Sequence, residues 1–344
     1  MKRFLLILLA LVVIGAGAFG WYAWSWTAYG PAAADKVVLI AQGSGLSRIA
    51  QQLENEGAIS QRRLFELELR LRGQAGQLKA GEYEIPAYAS MADIAAILIE
   101  GKSIQHRVTV AEGLTSDMIW KLVQANPVLA GDAGPVPEEG TLLPETYLFT
   151  RGKDRRELLR EMAAAQRDFI AQHWPGRSQN LPYATERQAV TLASIVEKET
   201  AHADERRQVA AVFVNRLRLG MRLQSDPTII YGITKGYPLG RGIRQSELDG
   251  VTAYNTYQID GLPPTPIANP GKDAFRAVMN PPATSDLYFV ADATGNGRSV
   301  FSATLTEHGR NVLALRASER RQRSAPPTRV PTEDIGSQLP RFRR

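Results

Sequence analysis

A run of 23 residues without a charge, Phe4 to Trp26, follows Lys2 and Arg3 at the N-terminus. As a helix rising ~1.5 Å per residue, it is long enough to cross the ~30 Å hydrocarbon core of a bilayer. Its leucine-rich part is Phe4 to Ile14, and Trp21, Tyr22, Trp24 and Trp26 crowd its far end. Amphipathic rings favour the headgroup layer, so these four read as a collar at the membrane surface. The positive residues ahead of the run predict a cytoplasmic stretch 1–3, a transmembrane helix 4–26 and an exported body. The rival is a cleaved signal peptide, with Ala16-Gly17-Ala18 as its cleavage site. The apolar run continues well past that point, which favours the uncleaved span. Either reading exports the body.

Composition narrows what that body does. With no cysteine, disulfide scaffolds, zinc fingers, iron–sulfur sites and thiol nucleophiles are excluded together. His106, His173, His202 and His308 lie too far apart for an H-E-x-x-H zinc site, and no metal or cofactor is expected. The net charge of +6 is not spread along the chain. Arg316 to Arg344 hold eight arginines against three acids, whereas residues 4–315 hold 31 basic and 32 acidic groups. No basic groove runs through the body, so nucleic acid is not an expected partner. Residues 317–344 are rich in Pro, Arg and Ser without an apolar period, which predicts a disordered tail.

The order of elements predicts an α+β protein. Residues 27–36 read as a short flexible linker. Val37 to Ile40 reads as a strand, followed by a helix with Ser47 as N-cap that ends near Gly57. A second helix runs from Ser60 or Arg62 to about Arg72, a strand follows Lys79 to Tyr83, and Ser90 to Glu100 forms a third helix closed by Gly101. Residues 37–105 are therefore a small α+β module. Ile40-Ala41-Gln42-Gly43 before a helix is echoed by Val110-Ala111-Glu112-Gly113 before a helix from Ser116 to Val123. Residues 106–185 read as a connecting α+β region, with a Pro/Gly-rich loop from Pro127 to Pro144 and a helix from Arg155 to His173. Residues 186–316 form the last domain.

The helix from Glu186 to about Ala201 carries two acids, Glu197 and Glu199. At about 100° per residue from Val190, Glu199 falls at about 180°, between Ile195 at about 140° and Leu192 at about 200°. Glu197 falls at about 340°, near Ser194 at about 40° and away from the apolar stripe. Phase thus predicts a buried Glu199 and a solvated Glu197. A carboxyl against Leu192, Ile195 and Val196 has its pKa raised by desolvation, which suits a general acid. The bland alternative is a structural glutamate paired with Arg206, Arg207 or Arg216.

A helix from Gln208 to Leu219, stopped by Gly220, is followed by polar and aromatic clusters. Gln224, Asp226 and Thr228 come first, then Tyr254, Asn255 and Tyr257, then Gly261-Leu262-Pro263-Pro264. Ring faces and amides of this kind suit a sugar polymer, whose rings stack and whose hydroxyl and N-acetyl groups take hydrogen bonds.

Several segments together carry a resemblance: Ala193 to Thr200 (ASIVEKET), Phe213 to Leu217 (FVNRL), Met221 to Thr228 (MRLQSDPT), Ala253 to Tyr257 (AYNTY) and Gly261 to Pro264 (GLPP). The chain resembles the MltG/YceG-like endolytic murein transglycosylases, closely over about residues 186–316. The module with Lys79 to Tyr83 (KAGEY) is similar to that family's LysM-like subdomain. Val110 to Gly113 and Leu143 to Tyr147 are similar to further family segments. The resemblance implies that Glu199 is the catalytic acid and that Thr200, Gln224, Asp226, Thr228, Tyr254, Asn255 and Tyr257 bind substrate. It implies cleavage of peptidoglycan glycan strands, with no cofactor, from a single-pass position in the inner membrane with a periplasmic catalytic domain. Peptidoglycan synthases are expected partners. Two rivals stay open: a hydrolytic muramidase with Asp226 or Glu205 as second acid, and a non-catalytic wall-binding scaffold.

Overall fold

The computed structural model describes residues 2–200 and 202–324. The apolar run forms one helix, α1 (Lys2–Thr27), whose side chains from Phe4 to Ile14 lie exposed. It is long and apolar enough to span a membrane or to serve as a signal sequence. The collar, however, is split. Trp21 and Trp24 are exposed, but Trp26 is buried, with its ring 5.9 Å from that of Phe65 and the Arg72 guanidinium 5.3 Å above it. Tyr22 packs against the same core. Tyr22 and Trp26 are four residues apart and so share one helix face, which the following module covers.

The expected flexible linker 27–36 is also pinned. The Gly30 N–H donates to the Tyr88 carbonyl, the Tyr88 N–H to the Ala32 carbonyl, and the Ala87 N–H to the Asp35 carboxylate. A Cβ at Gly30 would come within 2.1 Å of the Ala89 carbonyl oxygen, so only glycine fits that crossing.

Next come β1 (Lys36–Ile40), α2 (Leu46–Asn55), α3 (Arg62–Leu71), β2 (Gly81–Ile85) and α4 (Met91–Glu100). β1 and β2 are antiparallel, with Lys36 opposite Ile85 and Ile40 opposite Gly81. Their inner residues Val38, Ile40, Tyr83 and Ile85 bury against Ile49, Leu53, Phe65, Leu69, Ile94 and Leu98. The strand, helix pair and strand order is the one the periodicity predicts. Ser47 lies inside α2 rather than capping it; Gly45 holds the cap position, and the Ser47 hydroxyl donates to Glu66. Ser90 does cap α4, in a capping box with Asp93, and Gly101 ends it in the left-handed region.

β3 (His106–Thr109) pairs antiparallel with β4 (Thr146–Phe149), and α5 (Ser116–Gln124) lies between them in sequence. The local echo is real in form: Gly43 and Gly113 both sit at φ 77°, each between a strand and a helix. α6 (Arg155–His173) follows.

The chain divides into two compact units, and the boundary differs from the expected one. Residues 106–185 are not one connecting region. Glu112–Thr115, Glu139–Leu143 and everything from Gln166 belong to the second unit, while the intervening stretches belong to the first.

The second unit contains α7 (Glu186–Glu199), α8 (Arg206–Arg218), α9 (Asp226–Thr234), α10 (Gln245–Asp249), α11 (Lys272–Met279), β5 (Tyr288–Ala291), β6 (Ser299–Ser302) and α12 (Leu305–Ser324). α7 packs on α8, α9 and α11, and β5 and β6 form an antiparallel pair. α12 runs past residue 317, where the tail is expected to lose order. Ala, Glu, Gln and Arg sustain a helix without an apolar stripe, and the Ser318 hydroxyl donates to the Ala293 carbonyl. Residues 325–344 of the expected tail lie outside the described residues. The fold is thus mixed α+β, led by one apolar helix.

Candidate active site

α7 begins on a capping box, in which the Thr185 hydroxyl accepts from the Gln188 N–H and the Gln188 side chain accepts from the Thr185 N–H. Eight consecutive residues, Ala189 to Val196, are buried. The middle of α7 is enclosed on every side although its first turn and Lys198 are exposed, and the expectation of a solvated Glu197 is overturned. Its side chain is only 5% exposed. Oε1 lies 3.1 Å from Arg206 Nη2, and Oε2 accepts the Gly271 N–H at 2.9 Å. Burial pushes this carboxyl upward, while Gly271 and Arg206 favour its anion. The structural glutamate paired with an arginine is therefore Glu197.

Glu199 is the last residue of α7 and keeps part of its surface open. Its Oε1 accepts the Ser225 hydroxyl at 2.5 Å, and no described cation forms an ion pair with it. Burial pushes the carboxyl up to about 7; the Ser225 hydrogen bond and the Arg216 charge oppose this, and the Asp226 charge adds to it. Ser225 stands at the N-cap of α9, yet its hydroxyl caps no helix N–H and points its proton at Glu199 instead. Its own N–H is held by Thr256 Oγ1 at 3.0 Å.

Glu199 shares a pocket of about 390 Å³ with Arg216, Leu223, Gln224, Asp226, Tyr257, Phe289 and His308. Gln224 sits at φ 52°, a left-handed conformation that costs a side-chain-bearing residue about 1 kcal/mol or more. The Gln224 N–H donates to the Thr256 carbonyl, which fixes this turn. The Tyr257 hydroxyl donates to Asp226 at 2.7 Å, and burial raises the Tyr257 pKa. Burial together with the Arg216 charge lowers the pKa of His308.

Of the residues expected to bind substrate, Gln224, Asp226 and Tyr257 line this pocket, and the others do not. Thr200 is buried and accepts the His202 N–H, terminating α7. Thr228 is wholly buried, bonded to the Ser225 carbonyl and Thr256 Oγ1. Asn255 directs its amide N–H groups to the carbonyls of Glu247, Leu248 and Gly250, and its oxygen accepts the Tyr257 N–H. That amide is buried with both N–H groups committed, and it ties the loop that presents Tyr257. Tyr254 bonds Thr265 through its hydroxyl and packs its ring 5.0 Å from that of Tyr231. Glu205, a candidate second acid, is buried and accepts the Ser299 N–H; it does not line the pocket, whereas Asp226 does.

Ser225, Phe289 and His308 escaped the sequence reading. Ser225 lies inside the MRLQSDPT segment but reads as a turn residue. Phe289 and His308 arrive from β5 and α12, too far along the chain for spacing to reveal. Among the described residues no three of His, Asp and Glu gather to hold a metal ion.

A protonable carboxyl with a hydroxyl donor and no paired cation, set in a polar pocket of a mixed α+β scaffold, has the features that general acid–base chemistry requires. The chain belongs to the YceG-like family, whose profile matches residues 38–314. It is similar to an endolytic murein transglycosylase from Streptococcus pneumoniae, 29% identical over 321 residues and covering 79% of this chain. The match spans 57% of that relative's length, less than two thirds of it. An endolytic murein transglycosylase from Bacillus subtilis is 27% identical over 303 residues, covering 79% of this chain and 82% of its own. A crystal structure of a YceG-like protein from Listeria monocytogenes matches with a TM-score of 0.50 and 29% identity, covering 80% of this chain and 98% of that one.

Proposed function

We propose that this chain is an endolytic peptidoglycan lytic transglycosylase cleaving the bond between N-acetylmuramic acid and N-acetylglucosamine. The observation that carries the reading is Glu199, buried and pushed up to about 7, with Ser225 donating to one oxygen and no described cation in an ion pair with the carboxyl. As the acid, Glu199 donates its proton to the glycosidic oxygen. As the carboxylate, it accepts the proton of the muramoyl C6 hydroxyl, whose oxygen closes a 1,6-anhydro ring at C1. Positioned proton transfer of this kind contributes roughly 10²–10⁴-fold in rate. Gln224, Asp226 and Tyr257 orient the sugar rings. The names of the S. pneumoniae and B. subtilis relatives support the substrate class.

Hydrolysis is the second reading, favoured by one observation: Asp226 lines the same pocket and its charge bears on Glu199. A second carboxylate could activate water in place of the C6 hydroxyl. Digestion of purified glycan strands decides between them. Anhydro ends produced by wild type and absent with Glu199→Gln support the transglycosylase; reducing ends instead establish a muramidase. Unchanged digestion by Glu199→Gln moves the chemistry to another residue, and no digestion by wild type leaves only a scaffold.

Localisation follows the same reading. α1 serves as a single-pass inner-membrane anchor, N-terminus inside, with the catalytic unit in the periplasm. Because Tyr22 and Trp26 pack into the first module, that module stands at the membrane surface without a flexible spacer. Its β1, α2, α3, β2 order suits a LysM-like subdomain. Such a position favours nascent strands and makes the synthases natural partners, which crosslinking from exposed residues of the module would test.

A further inference from the structure

We propose that Arg216 is the receptor for a substrate carboxylate in the Glu199 pocket, so that the enzyme selects glycan whose muramoyl groups carry negative charge. This rests on the glycan reading of the pocket and goes beyond it by naming the group recognised. Arg216 is 7% exposed, and it lines the pocket beside Glu199. Its guanidinium is fixed from behind. Nε donates to the Leu287 carbonyl at 2.7 Å, and Nη1 donates to the Leu223 carbonyl at 2.8 Å, with longer contacts to the Arg222 carbonyl and Gln224 Oε1. The Tyr288 ring lies 5.3 Å from its Cζ.

Nη2, by contrast, makes no hydrogen bond to any described residue, and no described carboxylate forms an ion pair with Arg216. The two acids of the pocket are engaged elsewhere, Glu199 with Ser225 and Asp226 with Tyr257. His308 stacks on Tyr288 with ring centroids 5.2 Å apart, and its Nδ1 is buried without a partner. Arg216 is hydrogen-bonded only to neutral oxygens, and the pocket acid whose charge bears on it is Glu199, whose anion burial disfavours, so this buried cation has no paired counter-charge of its own. With Nε and Nη1 engaged, Nη2 is left to donate to a carboxylate oxygen, a charge-assisted hydrogen bond.

Peptidoglycan offers carboxylates at two places. The lactyl group of muramic acid ends in one where the stem peptide is missing, and the stem peptide carries its own. Equilibrium binding to the full chain carrying Glu199→Gln separates them without turnover. One pair of ligands is peptide-free muramoyl oligosaccharides with lactyl carboxylates free or methyl-esterified. The other is stem-bearing oligosaccharides with stem carboxylates free or amidated. Neutralising the engaged carboxylate should weaken binding on the order of tenfold, the worth of one charged hydrogen-bonded contact. Adding Arg216→Gln should erase the difference between charged and neutral ligand, and the pair that shows it names the source. Equal binding of charged and neutral forms in both pairs overturns the proposal, as does a difference that survives Arg216→Gln. Should Arg216→Gln fail to fold, the charged-against-neutral comparison on the folded parent decides alone. No binding of any oligosaccharide sinks the glycan reading itself, a separate outcome.

Discussion

Glu197 and Glu199 lie two residues apart on one enclosed helix, and what separates them is their partners rather than their burial. Glu197 faces Arg206 and the Gly271 N–H, whereas Glu199 faces a serine hydroxyl. The helical phase selects Glu199 correctly but for an incomplete reason, because it cannot show that the opposite face is covered as well. The pairing is a tertiary fact. It yields two predictions. The folded Glu199 carboxyl titrates near 7 against an ordinary 4.5, so the folded state holds an extra proton between those values. Stability therefore falls as pH rises through that window, by on the order of 3 kcal/mol in full above about pH 7. Glu199→Gln should match wild-type stability near pH 4 and exceed it at pH 8 while losing activity; urea unfolding at the two pH values measures this. Wild-type cleavage should decline above pH 7 as the acid form disappears. Parallel stability profiles for wild type and variant would sink the assignment. Glu197→Gln, in contrast, removes one carboxylate of the Arg206 cluster and should lower stability by about 2–3 kcal/mol, with kcat nearly intact in the folded fraction. A kcat loss as large as that of Glu199→Gln would contradict the division of roles.

Among the elements, those with strong periodicity and clear punctuation were legible: β1, α2, α3, α4, α6 and α7 all fall within a few residues of expectation. α9 was not, because Asp226-Pro227 reads as a turn signal, although proline in the first helical turn is also a helix start. β5 and β6 are four residues each, too short for alternation to stand out. Asn255 shows the same limit at the level of a loop. An amide beside two tyrosines looks like a sugar contact until its three carbonyl acceptors are seen. Asn255→Ala should therefore act through stability, costing a few kcal/mol for the carbonyls left bare, rather than through KM alone at unchanged Tm. The end of α1 carries a sharper prediction. Trp26 looks like a membrane-surface ring in sequence but fills the module core against Phe65 and Arg72. Trp26→Ala should cost about 3–5 kcal/mol of module stability, whereas Trp24→Ala, at an exposed ring, should cost little. Equal melting temperatures for the two variants would show that the core does not need α1.

For the whole molecule, a division at residue 186 follows the family resemblance, which is densest from there on, but compactness does not respect it. Short stretches far upstream complete the catalytic unit. The Asn269 side chain donates to the Leu114 carbonyl and accepts the Leu142 N–H, and its backbone exchanges hydrogen bonds with Gly113 and Leu114. Arg206 bridges Glu112 and Glu197, the Tyr231 hydroxyl donates to Glu139, and the Gln166 amide donates to the Gly140 carbonyl. None of these partners has a period or a motif that announces where it will go, so spacing along the chain could not reveal them. A fragment beginning at residue 186 loses Glu112–Thr115, Glu139–Leu143 and residues 166–185 of this unit together, the Thr185 cap of α7 among them, and leaves a buried asparagine, a largely buried arginine and the Tyr231 hydroxyl short of partners. Each stranded polar group costs roughly 1–3 kcal/mol, and together they consume much of the 5–15 kcal/mol by which a domain is stable. The fragment 186–324 should therefore lack a cooperative thermal transition and show no glycan cleavage, whereas a chain starting at residue 28, which keeps both stretches, should melt cooperatively even though it is weakened by the loss of Trp26. Circular dichroism melting of the two chains is the check. A cooperative transition from the shorter fragment, with cleavage retained, would mean that the upstream stretches merely cover the catalytic unit and do not complete it.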